Sequence, residues 1–321
     1  MNRNSIDIKN QIVSIFWNCF DLLRGVEMGD LKVVFFLFSA FKDGVFENPK
    51  KNELNDINAF IVNRLYSSDK YFLLFQVYES IIQLMSSKRL TEFYEVMSRI
   101  DAQELDYLKL NFGEIFELLL DKYLSYDSKT SGTITQPKEV THLVNGLANL
   151  NEYVTVYNPF AGLASYCIDL KKNKFFYGQE LIESTWALGM LRLLAHNESS
   201  NLYYPTNKNL ENFKGNIIYD LEDSIDSWPK NQKFDLVVAT PPFKVRLTST
   251  LKSQITGQPY RDIESYLIEN GINSLNEDGQ LIAVFSLSFL FSSNSNDVKI
   301  KKHLVDNNLI DSIIELPSGL F

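Results

Sequence analysis

Cysteine and histidine are scarce in this chain, with two cysteines and three histidines among 321 residues. Cys19 and Cys167 both lie in apolar patterns, which excludes a disulfide framework and a cysteine metal site as the basis of the fold. No metal-ligand spacing connects the histidines, which are His142, His196 and His303. The sequence therefore predicts a protein without a bound metal.

An excess of positive charge is also missing. The chain carries 31 Lys and Arg residues against 40 Asp and Glu residues, which gives a formal net charge of −9. Because Lys and Arg contacts to phosphates supply most non-specific affinity for nucleic acids, this balance argues against a free-standing nucleic-acid-binding protein. Any contact with DNA is expected to be local or shared with a partner chain.

Long apolar runs are absent too. The longest run, from Val33 to Phe41, contains one serine and is too short to span a bilayer. No amino-terminal segment combines a charged start, an apolar core and a small-residue cleavage site. These absences predict a cytoplasmic protein without membrane contact.

The pattern of apolar residues changes along the chain. Up to about residue 125 it is helical, with no strand pattern between the helices. The first helical face comprises Ile12, Ile15, Phe16, Cys19, Leu22 and Leu23. Further helices are predicted around Leu31–Lys42, Ala59–Leu65, Tyr71–Met85, Leu90–Met97 and Phe112–Leu124. We therefore predict a helical amino-terminal domain over residues 1–125, with a polar linker or substrate-facing loop at Ser125–Thr135.

From Thr155 onward, short apolar strands alternate with helical segments, which indicates right-handed βαβ units around a parallel sheet. The predicted strands are Thr155–Tyr157, Phe175–Tyr177, Asn216–Tyr219, Leu236–Ala239, Leu281–Phe285 and Ile310–Glu315. With 45% hydrophobic residues, the chain can supply a core to each of two domains. Residues 126–321 are thus predicted to form an α/β domain with a mostly parallel, Rossmann-like sheet.

The fourth strand pattern, Leu236–Ala239, runs directly into Thr240-Pro241-Pro242-Phe243. Residues at the carboxyl end of a buried parallel strand line the ligand crevice. The two prolines hold the backbone at Thr240 extended, so nearby carbonyls form rigid acceptors, and Phe243 offers a ring face for a planar base. An ordinary strand that ends in a Pro-Pro turn has the same pattern, so this segment alone leaves both interpretations open.

Thr240-Pro241-Pro242-Phe243 resembles the Asn/Asp/Ser-Pro-Pro-aromatic signature of amino methyltransferases that use S-adenosylmethionine. A more specific resemblance is that of Gly178-Gln179-Glu180, with the helix that follows it, to the DNA methylation subunits of type I restriction-modification systems. Segments similar to the same subunits, in the same order, are Phe16–Gly25, Gly132–Val140, Asn158–Gly162 and Ile314–Phe321. The resemblance covers nearly the whole chain. It implies an S-adenosylmethionine-dependent methyltransferase fold preceded by an all-α domain.

The resemblance also implies a set of cofactor contacts. The turn after the first strand would hold the methionine part of S-adenosylmethionine. The contact residues in this turn are Asn158, Pro159, Phe160 and Gly162. Gln136 and Pro137, in the element before that strand, belong to the same set. Asn158 is expected to hold the turn or the amino group of the cofactor through side-chain hydrogen bonds.

Two acids stand at the ends of the next strands. Glu180 is in position to accept the ribose hydroxyls, and Asp220 is in position to accept a hydrogen bond from the adenine amino group of the cofactor. A single acid at a strand end is commonly a solvated charge. Two acids and Asn158 at successive strand ends favour a nucleotide-type site.

The implied reaction is direct displacement of the methyl group by an adenine amino nitrogen, and its catalytic segment is Thr240, Pro241, Pro242 and Phe243. The Thr240 side chain and the Pro241 carbonyl would accept the two amino hydrogens. Phe243 would stack on the flipped base, and most of the acceleration would come from alignment.

This chain departs from the family pattern at several site positions. Asn158 replaces the usual Asp, and Gly162-Leu163-Ala164 replaces Gly-Ser/Thr-Gly. Thr240 stands where the family has Asn, Asp or Ser, and Gln136 replaces a Thr. Altered cofactor binding is an expected consequence of the changed turn.

The leading interpretation is an adenine-N6 DNA methyltransferase, the modification subunit of a type I restriction-modification system. Its expected partners are DNA, a specificity subunit and a restriction subunit. One alternative is methylation of another planar group such as a protein glutamine, against which the long helical domain and the Gly-Gln-Glu helix argue. Another is a non-catalytic DNA-clamping or assembly subunit.

Family members continue beyond the Leu-Pro-x-Gly-Leu-Phe segment with a further strand and an edge hairpin. The catalytic domain of this sequence is therefore expected to be truncated at its carboxyl end. Such a sheet would have an open edge, which favours association.

Overall fold

The computed structural model of the chain describes residues 4–23, 31–50, 53–131, 136–148, 155–168, 175–196, 217–243, 245–247, 251–318 and 320. The chain forms two compact units. The helical unit comprises Met1–Thr133 and Ile182–Ser200, and the sheet unit comprises Ile134–Leu181 and Asn201–Phe321. The division into domains at residue 125 stays a prediction.

Thirteen α-helices lie within the described residues. They are α1 Ser5–Leu23, α2 Val33–Lys42, α3 Ile57–Tyr66, α4 Phe72–Leu84, α5 Ser87–Met97, α6 Ala102–Leu110, α7 Phe112–Ser131, α8 Lys138–Leu147, α9 Ser165–Ile168, α10 Glu183–Ala195, α11 Ile263–Asn273, α12 Leu287–Phe291 and α13 Ser295–Asp306. The helices predicted in the first 125 residues are all present, with ends that differ by a few residues. Across the described ranges, none of the helices has both the length and the apolar character needed to cross a membrane.

Helix α6 was not predicted, although its start carries a readable signal. The Asp101 carboxylate accepts a hydrogen bond from the Glu104 N–H at 2.9 Å, and the Glu104 carboxylate accepts one from the Asp101 N–H at 2.9 Å. This reciprocal capping box satisfies two backbone donors that a helix start otherwise leaves unpaired. An Asp three residues before a Glu is therefore the signal that marks α6 in the sequence.

The predicted linker at Ser125–Thr135 is wrong over its first part, because α7 continues to Ser131. The apolar face of α7 is buried, and this packing stabilises the helix. No glycine or proline occurs in its polar last turns before Gly132, so nothing there stops the backbone hydrogen bonds. The remaining linker residues, 132–135, lie outside the described part of the chain.

Within its described residues, the sheet unit contains five strands, β1 Thr155–Asn158, β2 Phe175–Glu180, β3 Ile217–Leu221, β4 Phe234–Ala239 and β5 Leu275–Ala283. Their order across the sheet is β3-β2-β1-β4-β5, and every neighbouring pair is parallel. The prediction of a parallel sheet is thus confirmed. Strand order reverses between β1 and β4, which is where open α/β sheets form their ligand crevice.

The sixth predicted strand, Ile310–Glu315, is wrong: this segment has no regular structure and its residues are exposed. Ile313 is 64% exposed. A strand pattern records apolar spacing only, whereas a strand also needs a neighbour for its backbone groups. Among the described residues, none pairs with this segment.

An aromatic stack fixes the centre of the sheet core. Tyr157 on β1 is fully buried and stacks on Phe234 of β4 at 5.0 Å and on Tyr177 of β2 at 5.5 Å between ring centroids. Trp228 meets the Tyr157 ring edge-on at 5.0 Å. Such close-packed rings tolerate little sliding. The stack therefore holds β1, the middle of β2 and the start of β4 in fixed register.

Candidate functional site

The predicted site residues lie at the carboxyl ends of four adjacent strands in the sheet unit. Asn158 ends β1, Glu180 ends β2, Asp220 lies near the end of β3, and Thr240 follows β4 directly. In the parallel register, Asn158 is paired with Gly178, and the residue before Glu180 is paired with Asp220. All four side chains therefore lie at the same end of the sheet, where the strands have their carboxyl ends.

The turn after β1 is held from two neighbouring strands. The Ala161 N–H donates to the Gln179 carbonyl at 2.8 Å, and the Gly162 N–H donates to the Glu180 carboxylate at 3.0 Å. From β3, the Tyr219 hydroxyl donates to the Gly162 carbonyl. Glu180 thus has a local structural contact in addition to its predicted role toward a ribose.

Two glycines near this turn have different reasons to be glycine. Gly162 has a φ of +54°, and a Cβ built on it meets nothing within 4 Å, so its outer face is open. A Cβ on Gly178 would lie 2.7 Å from the Phe176 ring and 3.0 Å from the Ala161 Cβ. Gly178 therefore allows close packing of the turn on β2, whereas Gly162 permits a left-handed backbone conformation beside open space.

Asn158 is fully buried, and its two side-chain polar atoms differ in their surroundings. Its Oδ1 accepts a hydrogen bond from the Phe160 N–H at 3.3 Å, which holds the turn. Its Nδ2 has no acceptor among the described residues. A buried donor without a partner is costly, so this atom indicates a place where a bound group supplies an acceptor.

Asp220 is accompanied by a tyrosine. The Tyr177 hydroxyl hydrogen-bonds to Asp220, and burial together with the nearby carboxylate raises the pKa of Tyr177. Beside it, Gln179 is fully buried and serves the fold: its Oε1 accepts from the Tyr157 hydroxyl at 2.6 Å, and its Nε2 donates to Glu222 at 3.2 Å. The ends of β2 and β3, which carry Glu180 and Asp220, are therefore well anchored.

The tetrapeptide after β4 has Pro241 buried, Pro242 exposed, and Thr240 and Phe243 partly exposed. Thr240 Oγ1 lies 2.7 Å from the hydroxyl of Tyr166, which is in α9 directly after the β1 turn. Tyr166 is 2% exposed, and burial raises the pKa of its hydroxyl. The β1 turn and the tetrapeptide are therefore joined through this hydrogen bond.

Gln136 lies beside the same hydroxyl. Its Nε2 donates to Thr141 Oγ1 at 2.6 Å, and its side chain also hydrogen-bonds to Tyr166. Pro137 immediately precedes α8, with φ of −61° and ψ of 141°. Among the hydrogen bonds described, Gln136 contacts α8 and Tyr166 and makes none to the turn after β1.

Sequence reasoning missed three tyrosines that hold the site, Tyr166, Tyr177 and Tyr219. Their hydroxyls contact Thr240, Asp220 and the Gly162 carbonyl. No local pattern distinguishes them from ordinary core tyrosines. In the part of the chain that the structure describes, no group of three or more His, Cys, Asp or Glu side chains could hold a metal ion.

The sequence matches the model of a protein family described as N-6 DNA Methylase over residues 109–321. It is similar to the Type I restriction enzyme MpnII methylase subunit of Mycoplasma pneumoniae, at 24% identity over 257 residues covering 73% of this chain and 46% of that protein. It is similar to the StySPI methylase subunit of Salmonella potsdam, at 23% identity, covering 79% of this chain and 50% of that protein. The chain therefore spans about half the length of these relatives.

The fold is similar to that of a type I restriction-modification system methyltransferase subunit from Streptococcus thermophilus, with a TM-score of 0.62 and 16% identity over 94% of this chain and 80% of that one. It is also similar to a protein from Listeria monocytogenes described as a class I S-adenosylmethionine-dependent methyltransferase, with a TM-score of 0.59 and 13% identity over 98% of this chain and 84% of that one. The predicted fold class, a Rossmann-like methyltransferase sheet with a helical amino-terminal region, is confirmed.

Proposed function

The chain belongs to the N-6 DNA methylase family, and from this premise we propose that it transfers a methyl group from S-adenosylmethionine to the N6 amino group of a flipped adenine in DNA. The observation that carries the proposal is the row of Asn158, Glu180, Asp220 and Thr240 along one edge of a parallel sheet. A nucleotide-type cofactor site and an amino-group acceptor site would thereby be neighbours.

The residues of the β1 turn fit the methionine end of the cofactor. Asn158 Nδ2 is a buried donor whose own Oδ1 already serves Phe160, so it suits the cofactor carboxylate rather than its ammonium group. Gln136, Pro137 and Pro159 complete the proposed set around this turn. Gly162 leaves an open backbone face beside Phe160.

The acids fit the nucleoside end. Glu180 would accept hydrogen bonds from the ribose hydroxyls, and Asp220 would accept one from the adenine amino group. Tyr177 hydrogen-bonds to Asp220 and so restricts the orientation of that carboxylate. Both acids are partly exposed, so a ligand can reach their carboxylates.

On the substrate side, the nucleophile is the N6 nitrogen of the target adenine. It is a poor nucleophile because its lone pair is delocalised into the adenine ring, so the chain must make that lone pair available. Thr240 Oγ1 and the Pro241 carbonyl would accept the two amino hydrogens, Pro242 would keep the backbone rigid, and Phe243 would stack on the base. When bound, S-adenosylmethionine would supply an electrophilic methyl group and leave as a neutral thioether, and the N6 nitrogen would lose one proton to solvent as it gains the methyl group.

Partners follow from the relatives, which are named as subunits of type I restriction enzymes. We propose a specificity subunit that supplies sequence recognition, and a restriction subunit in the same system, with a cytoplasmic location. The net charge of −9 supports shared rather than independent DNA binding.

The first test is calorimetric titration of the purified chain with S-adenosylmethionine. Glu180→Ala and Asp220→Ala should each weaken binding at least roughly tenfold, the loss expected for a hydrogen bond to a charged group. Glu277→Ala, which removes an exposed acid from β5, is the matched control and should bind like the wild type. A folded wild-type chain that binds no cofactor would overturn the proposal and favour the non-catalytic assembly role.

The second test identifies the acceptor. The chain and its specificity subunit would be incubated with unmethylated duplex DNA and isotope-labelled cofactor, and nucleosides would be analysed by mass spectrometry after digestion. We expect N6-methyladenine, and none in Phe243→Ala. Label found in a protein glutamine instead of DNA would favour the alternative acceptor.

A further inference from the structure

Tyr166 belongs to no part of the proposed cofactor contacts, yet it touches the residue proposed to accept the target amino group. Its hydroxyl is buried and lies 2.7 Å from Thr240 Oγ1. The same hydroxyl hydrogen-bonds to Gln136, which in turn donates to Thr141 at 2.6 Å. Four side chains thus form a continuous hydrogen-bonded row that ends at Thr240.

A threonine hydroxyl has one hydrogen and two lone-pair sites, and its hydrogen rotates to suit its neighbours. Thr240 can accept a hydrogen from the target amino group only when its own hydroxyl hydrogen points elsewhere. The Tyr166 oxygen, at 2.7 Å, is an acceptor in the required position. Tyr166 has a single hydrogen of its own, and the side-chain amide of Gln136, which carries both a donor and an acceptor, is a second polar neighbour of the hydroxyl.

We infer that Tyr166 is a positioning residue: it accepts the Thr240 hydroxyl hydrogen and thereby holds Thr240 Oγ1 as an acceptor for the target amino group. The inference rests on the proposed function and gives it a residue that the tetrapeptide alone does not contain. It also supplies a physical reason why a threonine, with its extra methyl group, serves at this position. The hydrogen bond to Tyr166 holds the Thr240 side chain in one orientation.

Burial supports this arrangement. The raised pKa of Tyr166 keeps its hydroxyl protonated and neutral at physiological pH, so the row carries no charge that would attract or repel a base.

Substituting both Tyr166 and Thr240 by apolar residues of similar shape removes donor and acceptor together. Such paired replacement of hydrogen-bond partners costs little stability.

A double-mutant cycle tests the inference in the chain assembled with its specificity subunit. Tyr166→Phe should lower kcat by roughly 10- to 100-fold, the loss expected when a reacting group is misplaced, while the dissociation constant for S-adenosylmethionine stays within about twofold. Thr240→Val should lower kcat similarly, and the double variant should be no slower than Thr240→Val alone. Tyr266→Phe is the matched control, because it removes another tyrosine hydroxyl of the sheet unit, which donates to the Ile225 carbonyl at 2.9 Å.

A second readout needs no activity. In protein with isotope-labelled threonine, three-bond scalar couplings between Thr240 Cγ2 and the backbone report the χ1 rotamer. We expect one rotamer in the wild type and in Tyr266→Phe, and rotamer averaging in Tyr166→Phe. A Thr240 rotamer unaffected by Tyr166→Phe would overturn the inference, as would independent, multiplying effects on kcat.

The two readouts separate the inference from the proposed function. A wild type that transfers no methyl group, but whose Thr240 rotamer is lost in Tyr166→Phe, would refute the proposed reaction and support the positioning of Thr240 by Tyr166. A wild type that methylates DNA with Thr240 unaffected by Tyr166→Phe would support the reaction and refute the positioning role.

Discussion

Ala164 has a backbone conformation that usually belongs to glycine. Its φ is +55°, two residues after Gly162 at +54°, and its side chain is fully buried in the β1 turn. For a residue with a Cβ, this left-handed conformation costs about 1 to 2 kcal/mol. The departure from the Gly-Ser/Thr-Gly pattern thus places strain directly beside the proposed methionine contacts.

Ala164→Gly should therefore be nearly neutral, with a free energy of unfolding within about 0.5 kcal/mol of the wild type, because the relief of strain offsets the lost methyl and the added chain entropy. The matched control is Ala161→Gly in the same turn, where φ is not positive and the change should cost about 1 kcal/mol. Urea unfolding of both variants measures the difference. Equal losses in the two variants would show that Ala164 is not strained.

Part of the site could be predicted from the sequence and part could not. Asn158, Glu180, Asp220 and Thr240 were identifiable because parallel strands bring their carboxyl ends to one edge. The contact of Tyr166 with Thr240 joins residues 74 apart in the sequence. No local period carries that information, because the contact exists only after β1 and β4 have paired.

Between elements, α7 and α10 are joined by a partly buried ionic contact in the helical unit. The Glu117 carboxylate receives Arg192 Nε at 2.7 Å and Nη2 at 2.8 Å, and His196 Nε2 at 2.8 Å. A Cβ on Gly113 would lie 3.0 Å from the His196 ring, so glycine there permits the close approach. Burial disfavours ionised Glu117, but hydrogen bonds from His196 and Arg192 outweigh it and lower the pKa of Glu117 to about 2.

Glu117→Gln should therefore reduce the free energy of unfolding at pH 7, by about 1 to 3 kcal/mol. A carboxylate whose pKa is lowered on folding stabilises the protein above its ordinary pKa of 4.5 and loses that contribution as the pH falls toward about 2. The difference between wild type and variant should accordingly shrink by about pH 3, as measured by urea unfolding.

The control for this prediction is Glu114→Gln on the same helix. Glu114 pairs with Lys9, but its side chain is 62% exposed, so the change should have little effect at any pH. A loss in Glu117→Gln that is the same at pH 7 and at about pH 3 would contradict the ionic origin of the contact.

After the tetrapeptide, a buried carboxylate organises the segment around Lys252. Glu269 on α11 accepts hydrogen bonds from the Ser253 hydroxyl at 2.5 Å, the Gln254 N–H at 2.5 Å and the Ile255 N–H at 3.3 Å. Lys252, next to Ser253, forms an isolated antiparallel β-bridge with Pro259. Glu269 thus holds this segment against α11 through three hydrogen bonds.

Glu269→Ala should accelerate tryptic cleavage after Lys252, because it leaves two backbone donors and a hydroxyl without their acceptor. The rate of appearance of the cleavage product, followed by mass spectrometry, measures the effect. Glu264→Ala removes another buried acid from α11 and is the control. Equal acceleration in both variants would attribute the effect to general destabilisation.

Elements were predicted best where periodicity alone decides them. Apart from α6, the helices of the first 125 residues were identified in this way, as were the five paired strands, although β5 begins at Leu275 rather than Leu281. The polar composition of residues 125–131 predicts a loop although α7 continues to Ser131, and a strand at Ile310–Glu315 would need a neighbour that apolar spacing does not specify. Capping and pairing, rather than pattern, account for these errors.

For the molecule as a whole, the net charge of −9 leads to a prediction about DNA. The chain alone should bind non-specific duplex DNA more weakly than about 10⁻⁴ M at physiological salt, because few phosphates can be neutralised. Fluorescence anisotropy with a labelled duplex measures this, with and without the specificity subunit. Micromolar binding by the chain alone, with a steep salt dependence, would instead reveal a local basic surface.

The helical unit is discontinuous in sequence, since Ile182–Ser200 joins it from beyond β1 and β2. Helix α10 packs on α2, α4 and α7, and nine of its residues are buried. During synthesis at roughly 5 to 20 residues per second, the first seven helices emerge from the ribosome several seconds before α10 does. Until then their α10-binding faces have no cover, so the nascent helical unit passes through an incomplete, aggregation-prone stage that chaperones could recognise.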